Sequence, residues 1–410
     1  MIKNRNLAFF SVYFTFFVDT LCWALSFSIF PPYFLDTNNT LLPGDLPHGT
    51  RTMILGFFFA IFAFGQFLAA PVMGEYADKH GRKKALAIGV FFTFIGLLLN
   101  AWSMKTHNII LLFVGRLITG LFASSGAVAL SCISDLSENE KAKVKNFGFF
   151  SMIAGTAFVV GAFVGGKLSD QSISSLFTPD FPLWLAAGLA LVNFFSILLG
   201  FKETTKIDSS VKFHFLDAFK HIKTALQTEK IKEFYLIYFL FLCAWTILFQ
   251  FSPVLTVKKF SFSSSSLGDL ALFMGFCWMV GSGYLNKWLT HHFNPTHVLE
   301  FCCIGLSIFC AAIIFPSNMY GVIAILGVSV ILGAIAWPIC AGLISNMAPQ
   351  AMQGKVLGIS QSVQAFAFTL GPLIGGLAFR YSLSLPFLIA SVLSLGAVAI
   401  YYLLARVRKS

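Results

Sequence analysis

"GEYADKHGRKK", Gly74–Lys84, sets six formal charges and a histidine between two long apolar runs. Charge is scarce elsewhere: Asp, Glu, Lys and Arg make up only 11% of the 410 residues, where soluble domains carry about 25%. With 57% hydrophobic residues and 49 phenylalanines, a soluble core cannot absorb the apolar surface, so much of it must face lipid. The net charge of +11 falls in short clusters between apolar segments rather than on one face. That argues against a nucleic-acid partner and follows the excess of Lys and Arg that cytoplasmic loops carry.

Reading outward from the cluster at about 20 apolar residues per span gives twelve spans, near 8–30, 53–73, 86–104, 108–130, 146–166, 181–201, 233–256, 267–288, 297–315, 319–343, 356–379 and 383–405. With a cytoplasmic N-terminus, most basic residues fall in inside segments, among them Lys79, Arg82, Lys83, Lys84, Lys141, Lys143, Lys145, Lys355 and Arg406. Both termini are therefore expected in the cytoplasm. The opening "MIKNRNLAFFSVYF" has the basic flank and apolar body of a signal peptide, but no small-x-small site follows, and a retained first span is expected. The eight cysteines lie within or beside apolar runs and read as small hydrophobes, with no disulfide framework.

A polar stretch, 202–232, separates an N-terminal six-span half, 1–201, from a C-terminal half, 233–410. Within it Leu216, Phe219, Ile222 and Leu226 share one helical face, the pattern of a helix lying on the membrane surface; a solvated linker is the other reading. The halves resemble each other. Moving residues 145–166 along by 210 positions sets Lys145, Gly148, Ala157, Phe158, Gly161, Gly165 and Gly166 on Lys355, Gly358, Ala367, Phe368, Gly371, Gly375 and Gly376 without a gap. Two parallel six-span halves are a transporter architecture.

Placed between spans 2 and 3, the opening cluster resembles the loop of the major facilitator superfamily that reads Gly-x-Leu-Ala-Asp-Arg-x-Gly-Arg-Lys. Gly74, Ala77, Asp78, Gly81, Arg82 and Lys83 match, with Tyr76 for the leucine and Lys79 for the arginine. Gly81 admits a backbone conformation closed to other residues, and Asp78 suits a helix N-terminus or an arginine. The resemblance implies that Gly74, Asp78, Gly81, Arg82 and Lys83 form a cytoplasmic gate, Asp78 bridging to the span 11 side when that face closes. The plainer alternative is an orientation signal.

The resemblance covers the whole chain. "LLFVGRLITGLF" carries Arg116 and Gly120 in the family's Arg-x-x-x-Gly pattern, and "QGKVLGISQS" with "LGPLIGG" in span 11 looks like the drug:proton antiporter branch that includes tetracycline exporters. In span 1, "DTLCWALSFSIFPP" sets an acid ahead of prolines, as that branch often does. Span 5 departs: "GAFVGG" has Ala162 where antiporters of this family usually carry proline, while span 11 keeps Gly371, Pro372, Gly375 and Gly376. Without proline, span 5 should run straighter. Gly120, Gly161, Gly165, Gly166, Gly371, Pro372, Gly375 and Gly376 are the candidate helix-packing residues, small faces that let helices of opposite halves approach. The implied fold is an all-α integral membrane protein of twelve transmembrane helices in two pseudo-symmetric six-helix halves.

Only Asp19 and Arg116 are ionisable residues deep within the spans. A charge at the bilayer centre costs about 2.5–3.5 kcal/mol on insertion scales, so each should face the interior with a partner. At 1.5 Å per residue, Asp19 lies about 16 Å from the inner end of span 1 and Arg116 about 11 Å from the outer end of span 4. In a core of about 30 Å their levels differ by about 3 Å. They are expected to interact directly or through water as the proton-coupling pair. A nearby guanidinium favours an ionised carboxylate and loss of water favours the protonated acid, so a carboxyl alternating between those settings can load and release a proton. A fixed ion pair ordering spans 1 and 4 is the competing reading.

Trp23, Trp245, Gln250, Trp337, Gln361 and Gln364 are candidate cavity residues, each also readable as a packing or interfacial residue. His291, His292 and His297 lack a stronger ligand pattern, so no metal site is expected, and no nucleotide or covalent-catalysis motif is present. No cofactor and no enzymatic activity are expected. The leading reading is a monomeric, proton-coupled secondary transporter of a small organic solute in a bacterial inner membrane, working by alternating access as an efflux antiporter. Proton-coupled uptake of a nutrient, metabolite or siderophore-like molecule is the runner-up. A non-transporting receptor is the third class; it should carry a long cytoplasmic tail, which "ARVRKS" is not.

Overall fold

The bilayer core offers no water to backbone N–H and C=O groups, so a spanning segment must satisfy them within itself. In the computed structural model, which describes residues 5–123, 125–204, 231–347 and 353–407, the chain does this with helices, and no strand occurs among the described residues. The first seven are α1 (Arg5–Leu35), α2 (His48–His80), α3 (Arg82–Thr106), α4 (Ile109–Phe122), α5 (Ser125–Leu136), α6 (Glu140–Leu168) and α7 (Phe181–Gly200). After the central stretch come α8 (Lys232–Phe260), α9 (Ser264–Met279), a π-helical turn at Val280–Leu285, and α10 (Asn286–His292). The last four are α11 (Pro295–Ala312), α12 (Met319–Asn346), α13 (Gln353–Phe379) and α14 (Leu385–Val407). Among the described residues, eleven helices are long and apolar enough to cross a membrane, counting Ser264–His292 as one. The chain is a multi-pass integral membrane protein.

Two departures from the expected spans have local causes. The segment expected at 108–130 is two helices, α4 and α5: α4 ends at Phe122, where Ala123 at φ −72° and ψ 10° leaves the helical path and its N–H donates to the Thr119 carbonyl. The segment expected at 267–288 contains the π turn, and its Gly281 sits so close to α12 that a Cβ there would lie 2.8 Å from the Ile331 carbonyl oxygen. Helix starts are set by asparagine: Asn108, Asn139, Asn294 and Asn318 each accept a backbone N–H from the first turn of α4, α6, α11 and α12. The interfacial helix read between 202 and 232 lies almost wholly outside the described residues.

The helices gather into two compact units, the first holding α1, α2 from Ile61 onward, α3–α7 and Ser263–Ala271. The second holds Leu46–Ala60, α8, α9 from Leu272 and α10–α14. The internal repeat is visible in how each unit packs. In the first, α1 packs on α6 and α7, and α3 on α4 and α7. In the second, α8 packs on α13 and α14, and α11 on α12 and α14. These are the same pairings in the same order, the twofold repeat of the six-helix halves.

Candidate functional site

The small residues of spans 5 and 11 do two separate jobs. Gly161 and Gly165 of α6 meet α1: a Cβ on Gly161 would lie 2.7 Å from the Leu21 carbonyl oxygen, and one on Gly165 would strike the Leu25 side chain. Gly371 and Gly375 of α13 do the equivalent against α8, at Thr246 and the Phe251 ring. The third glycine of each set turns elsewhere. Gly166 meets Ser264 and Gly268, and Gly376 meets Gly56 with 3.0 Å from a built Cβ to the Gly56 Cα. The Pro372 carbonyl also faces Gly56. Each trio therefore holds one neighbour with two glycines and a second neighbour with the last.

Asp19, also on α1, is buried, at 7% exposure, inside the first unit. Arg116, at 4%, is buried in the same unit on α4. Its guanidinium carbon stands 4.4 Å from the centre of the Phe62 ring and 5.9 Å from that of Phe30. An aromatic face is a fitting setting for a desolvated cation, because the ring quadrupole supplies attraction that water no longer does. Gly120, one turn on from Arg116, fixes that distance: a Cβ there would meet the Phe62 carbonyl oxygen and lie 2.8 Å from its Cα. The Arg-x-x-x-Gly pattern thus has a mechanical meaning, with the glycine seating α4 on α2 and the arginine reaching the ring of the same residue. Cys22, one turn along α1 from Asp19, lies within electrostatic reach of both charged side chains.

The opening cluster proves to be helical rather than a loop. Gly74 to His80 are the last turns of α2, Gly81 alone makes the turn at φ 97°, and α3 starts at Arg82. That φ is open to glycine and strained for other residues. Ala77 is fully buried in a core with Met73, Ala85, Leu86, Val128 and Cys132, which leaves Asp78 facing outward. Asp78 pairs with Arg82 at 3.0 Å, and the Arg82 Nε also donates to Asp135 at 3.1 Å. Lys83 Nζ donates to the Leu198 carbonyl at 2.8 Å. A Cβ on Gly74 would meet nothing within 4 Å.

Sequence reasoning missed two acids in this cluster. Gly81, as N-cap of α3, has no side chain to offer, and Glu203 takes that role: its carboxylate accepts from Arg82 N at 2.8 Å and Lys83 N at 3.1 Å. Thr204 then donates to Asp135 at 3.3 Å. The available signal was an acid directly after span 6, in "FKETT", opposite a basic cluster. Arg51 is 1% exposed at the start of α2 and donates from Nε to the Leu46 carbonyl.

The cavity candidates separate between the units. Trp23 lies in the first, its ring 5.5 Å from Phe158. In the second, four helices contribute one ring each to a continuous row: Trp245 to Trp278 at 5.4 Å, Trp278 to Trp337 at 5.8 Å, and Trp337 to Phe368 at 5.6 Å. Trp278 and Phe368 are the members that sequence reasoning did not count among the cavity candidates. Gln364 accepts from the Tyr238 hydroxyl at 3.1 Å, Gln361 is exposed, and the Gln250 Oε1 is buried with no hydrogen-bond partner among the described residues. Among the described residues no cluster of His, Cys, Asp and Glu is arranged to hold a metal ion.

A family model described as Major Facilitator Superfamily matches residues 12–336 and 285–410. The chain is 25% identical over 356 residues to the class H tetracycline resistance protein of Pasteurella multocida, covering 84% of each protein. It is 24% identical over 405 residues to the quinolone resistance protein NorA of Staphylococcus aureus, covering 96% of each. The crystal structure of a D-xylose-proton symporter superposes on 96% of this chain and 97% of its own, with a TM-score of 0.75 at 16% identity, a likeness of fold.

Proposed function

The chain belongs to the Major Facilitator Superfamily, and from that premise we propose that it exports a small organic solute in exchange for protons, by alternating access. The observation that carries this reading is the burial of one acid and one base, Asp19 and Arg116, in otherwise apolar helices of the same unit. Each carries the desolvation cost of an intramembrane charge, a cost usually retained for function. In the proposed cycle Asp19 takes a proton when its surroundings dry and yields it when solvent or the Arg116 charge reaches it. Efflux is favoured by the resistance proteins that the chain resembles over most of its length. The excess of Lys and Arg beside the α2–α3 turn and near both termini supports a cytoplasmic side for them, and in this reading the Asp78–Arg82–Asp135 network, beside the start of α3 that Glu203 caps, is the cytoplasmic gate.

One observation favours uptake by symport instead: α6 has no internal proline, and Ala162 occupies the place of the proline that antiporters of this family usually carry. Accumulation assays in inverted vesicles with a substrate panel decide whether a solute is moved. Export predicts energised accumulation inside such vesicles, abolished by Asp19→Asn; accumulation unaffected by that substitution would remove Asp19 from the mechanism.

A further inference from the structure

The end of α6 and the start of α9 are joined by polar contacts that stand apart from both the buried charges and the α2–α3 turn. Their backbones cross closely: a Cβ on Gly166 would meet the Ser264 carbonyl oxygen and lie 2.9 Å from the Gly268 Cα, and one on Gly268 would lie 2.9 Å from the Phe163 carbonyl oxygen. Lys167 Nζ donates to Ser265 Oγ at 2.7 Å and to Asp269 Oδ2 at 2.8 Å. Asp170, just past α6 and 7% exposed, accepts on Oδ1 from Ser172 N at 3.0 Å and Ser172 Oγ at 2.6 Å. Its Oδ2 accepts from Ser265 N at 3.0 Å.

Ser265 N is one of the first-turn N–H groups that helix geometry leaves without an acceptor inside α9. Ser263 meets one of its neighbours, accepting on Oγ from Ser266 N at 3.3 Å. The cap of α9 is thus half its own and half a carboxylate from 95 residues away. We propose that Asp170 is a releasable cap, holding α9 against the end of α6 in the state seen here and letting go when the two helices part during transport. This rests on the alternating-access reading above; the exchange measurement below needs no substrate, so its outcome is separate from that of any transport assay.

Asp170, rather than the nearby ion pair, carries the contact. Lys167 and Asp269 are 31% and 58% exposed, and water weakens a pair so placed. Asp170 is enclosed, and a carboxylate aimed at a helix N-terminus gains both charge-assisted bonds and the field of the helix. Burial alone would push its carboxyl up, but bonds from the Ser172 and Ser263 hydroxyls and from the Ser265 and Ser172 N–H groups hold it below the usual carboxylate range. Gly166 and Gly268 provide the approach that brings the cap within reach.

The test is hydrogen exchange, read by mass spectrometry, on the full-length protein in lipid nanodiscs. Asp170→Ala should speed exchange about tenfold in peptides covering 263–271, the loss typical of a missing cap, while Lys167→Met should change it by no more than about threefold. The peptide covering 163–172 should quicken together with 263–271, because parting helices expose both. Peptides from α3 and α8 should keep wild-type rates, which separates release of the clasp from general loosening of the fold. Where Asp170→Ala does not fold, Asp170→Asn, which retains an acceptor without charge, should raise exchange in the same two peptides to a smaller degree. Acceleration of 263–271 alone would mean that α9 frays without parting from α6, and would overturn the proposal. So would equal effects of the Lys167 and Asp170 substitutions, or none from either.

Discussion

Gly120→Ala adds one methyl group at the crossing of α4 and α2. That carbon would lie 2.8 Å from the Phe62 Cα and 2.9 Å from its carbonyl carbon, with the carbonyl oxygen closer still. All three are backbone atoms, so no side chain can turn aside. Restoring ordinary contact near 3.5–4.0 Å moves α4 off α2 by about 1 Å. Overpacking of this kind costs about 1–3 kcal/mol. Arg116, one turn earlier, moves with its helix and leaves the Phe62 ring over which it now sits at 4.4 Å, a contact in the range of about 0.5–2 kcal/mol. Alanine also improves helix propensity by about 1 kcal/mol relative to glycine, and Gly148→Ala in α6 cancels that effect, because a Cβ there meets nothing within 4 Å. The difference between the two variants isolates the crossing. Gly120→Ala should unfold at lower temperature than Gly148→Ala in the same detergent and should pass markedly less proton current in proteoliposomes. Equal stability and equal flux in the two variants would refute the claim that this glycine positions Arg116.

Asp19→Asn should keep the fold and substrate binding and lose substrate-driven proton flux in proteoliposomes; wild-type flux would exclude it from coupling. Asp78→Ala should slow transport and shift the resting population toward an inward-open state, read by cysteine accessibility from each side, while unchanged accessibility with normal turnover would leave Asp78 as an orientation signal. Glu203→Ala removes both acceptors from the first turn of α3 and should destabilise that helix start by about 1 kcal/mol, seen as faster hydrogen exchange at Arg82 and Lys83; exchange at the wild-type rate would show that Glu203 does not cap α3.

The spans were legible because a bilayer sets a length and a composition, and few other demands produce some 20 apolar residues in a row. The repeat was legible because Gly161, Gly165 and Gly166 recur as Gly371, Gly375 and Gly376, and the structure gives each member of one trio the same kind of neighbour as its counterpart. Contacts between distant segments were not legible. Glu203 reaches Arg82 across 121 residues and Asp170 reaches Ser265 across 95, and each is a single acid in a polar stretch until the helix N-terminus it caps is in view. The charged cluster read as a loop because polarity and irregular backbone usually coincide. Here α2 continues past its apolar stretch to His80, and Gly81 alone makes the turn. Trp278 was overlooked for a similar reason: its place beside Trp245 and Trp337 is a fact about three helices at once.

The central claim is exchange of solute for protons in opposite directions, and an imposed proton gradient tests it most directly. The purified protein is reconstituted into vesicles of known orientation, a gradient of either sign is applied, and solute is followed with wild-type protein and with Asp19→Asn. Inward proton flow should drive solute outward, reversal of the gradient should reverse the solute, and the Asp19 variant should do neither. Inward proton flow that carries solute inward with it would contradict antiport and make the protein a symporter.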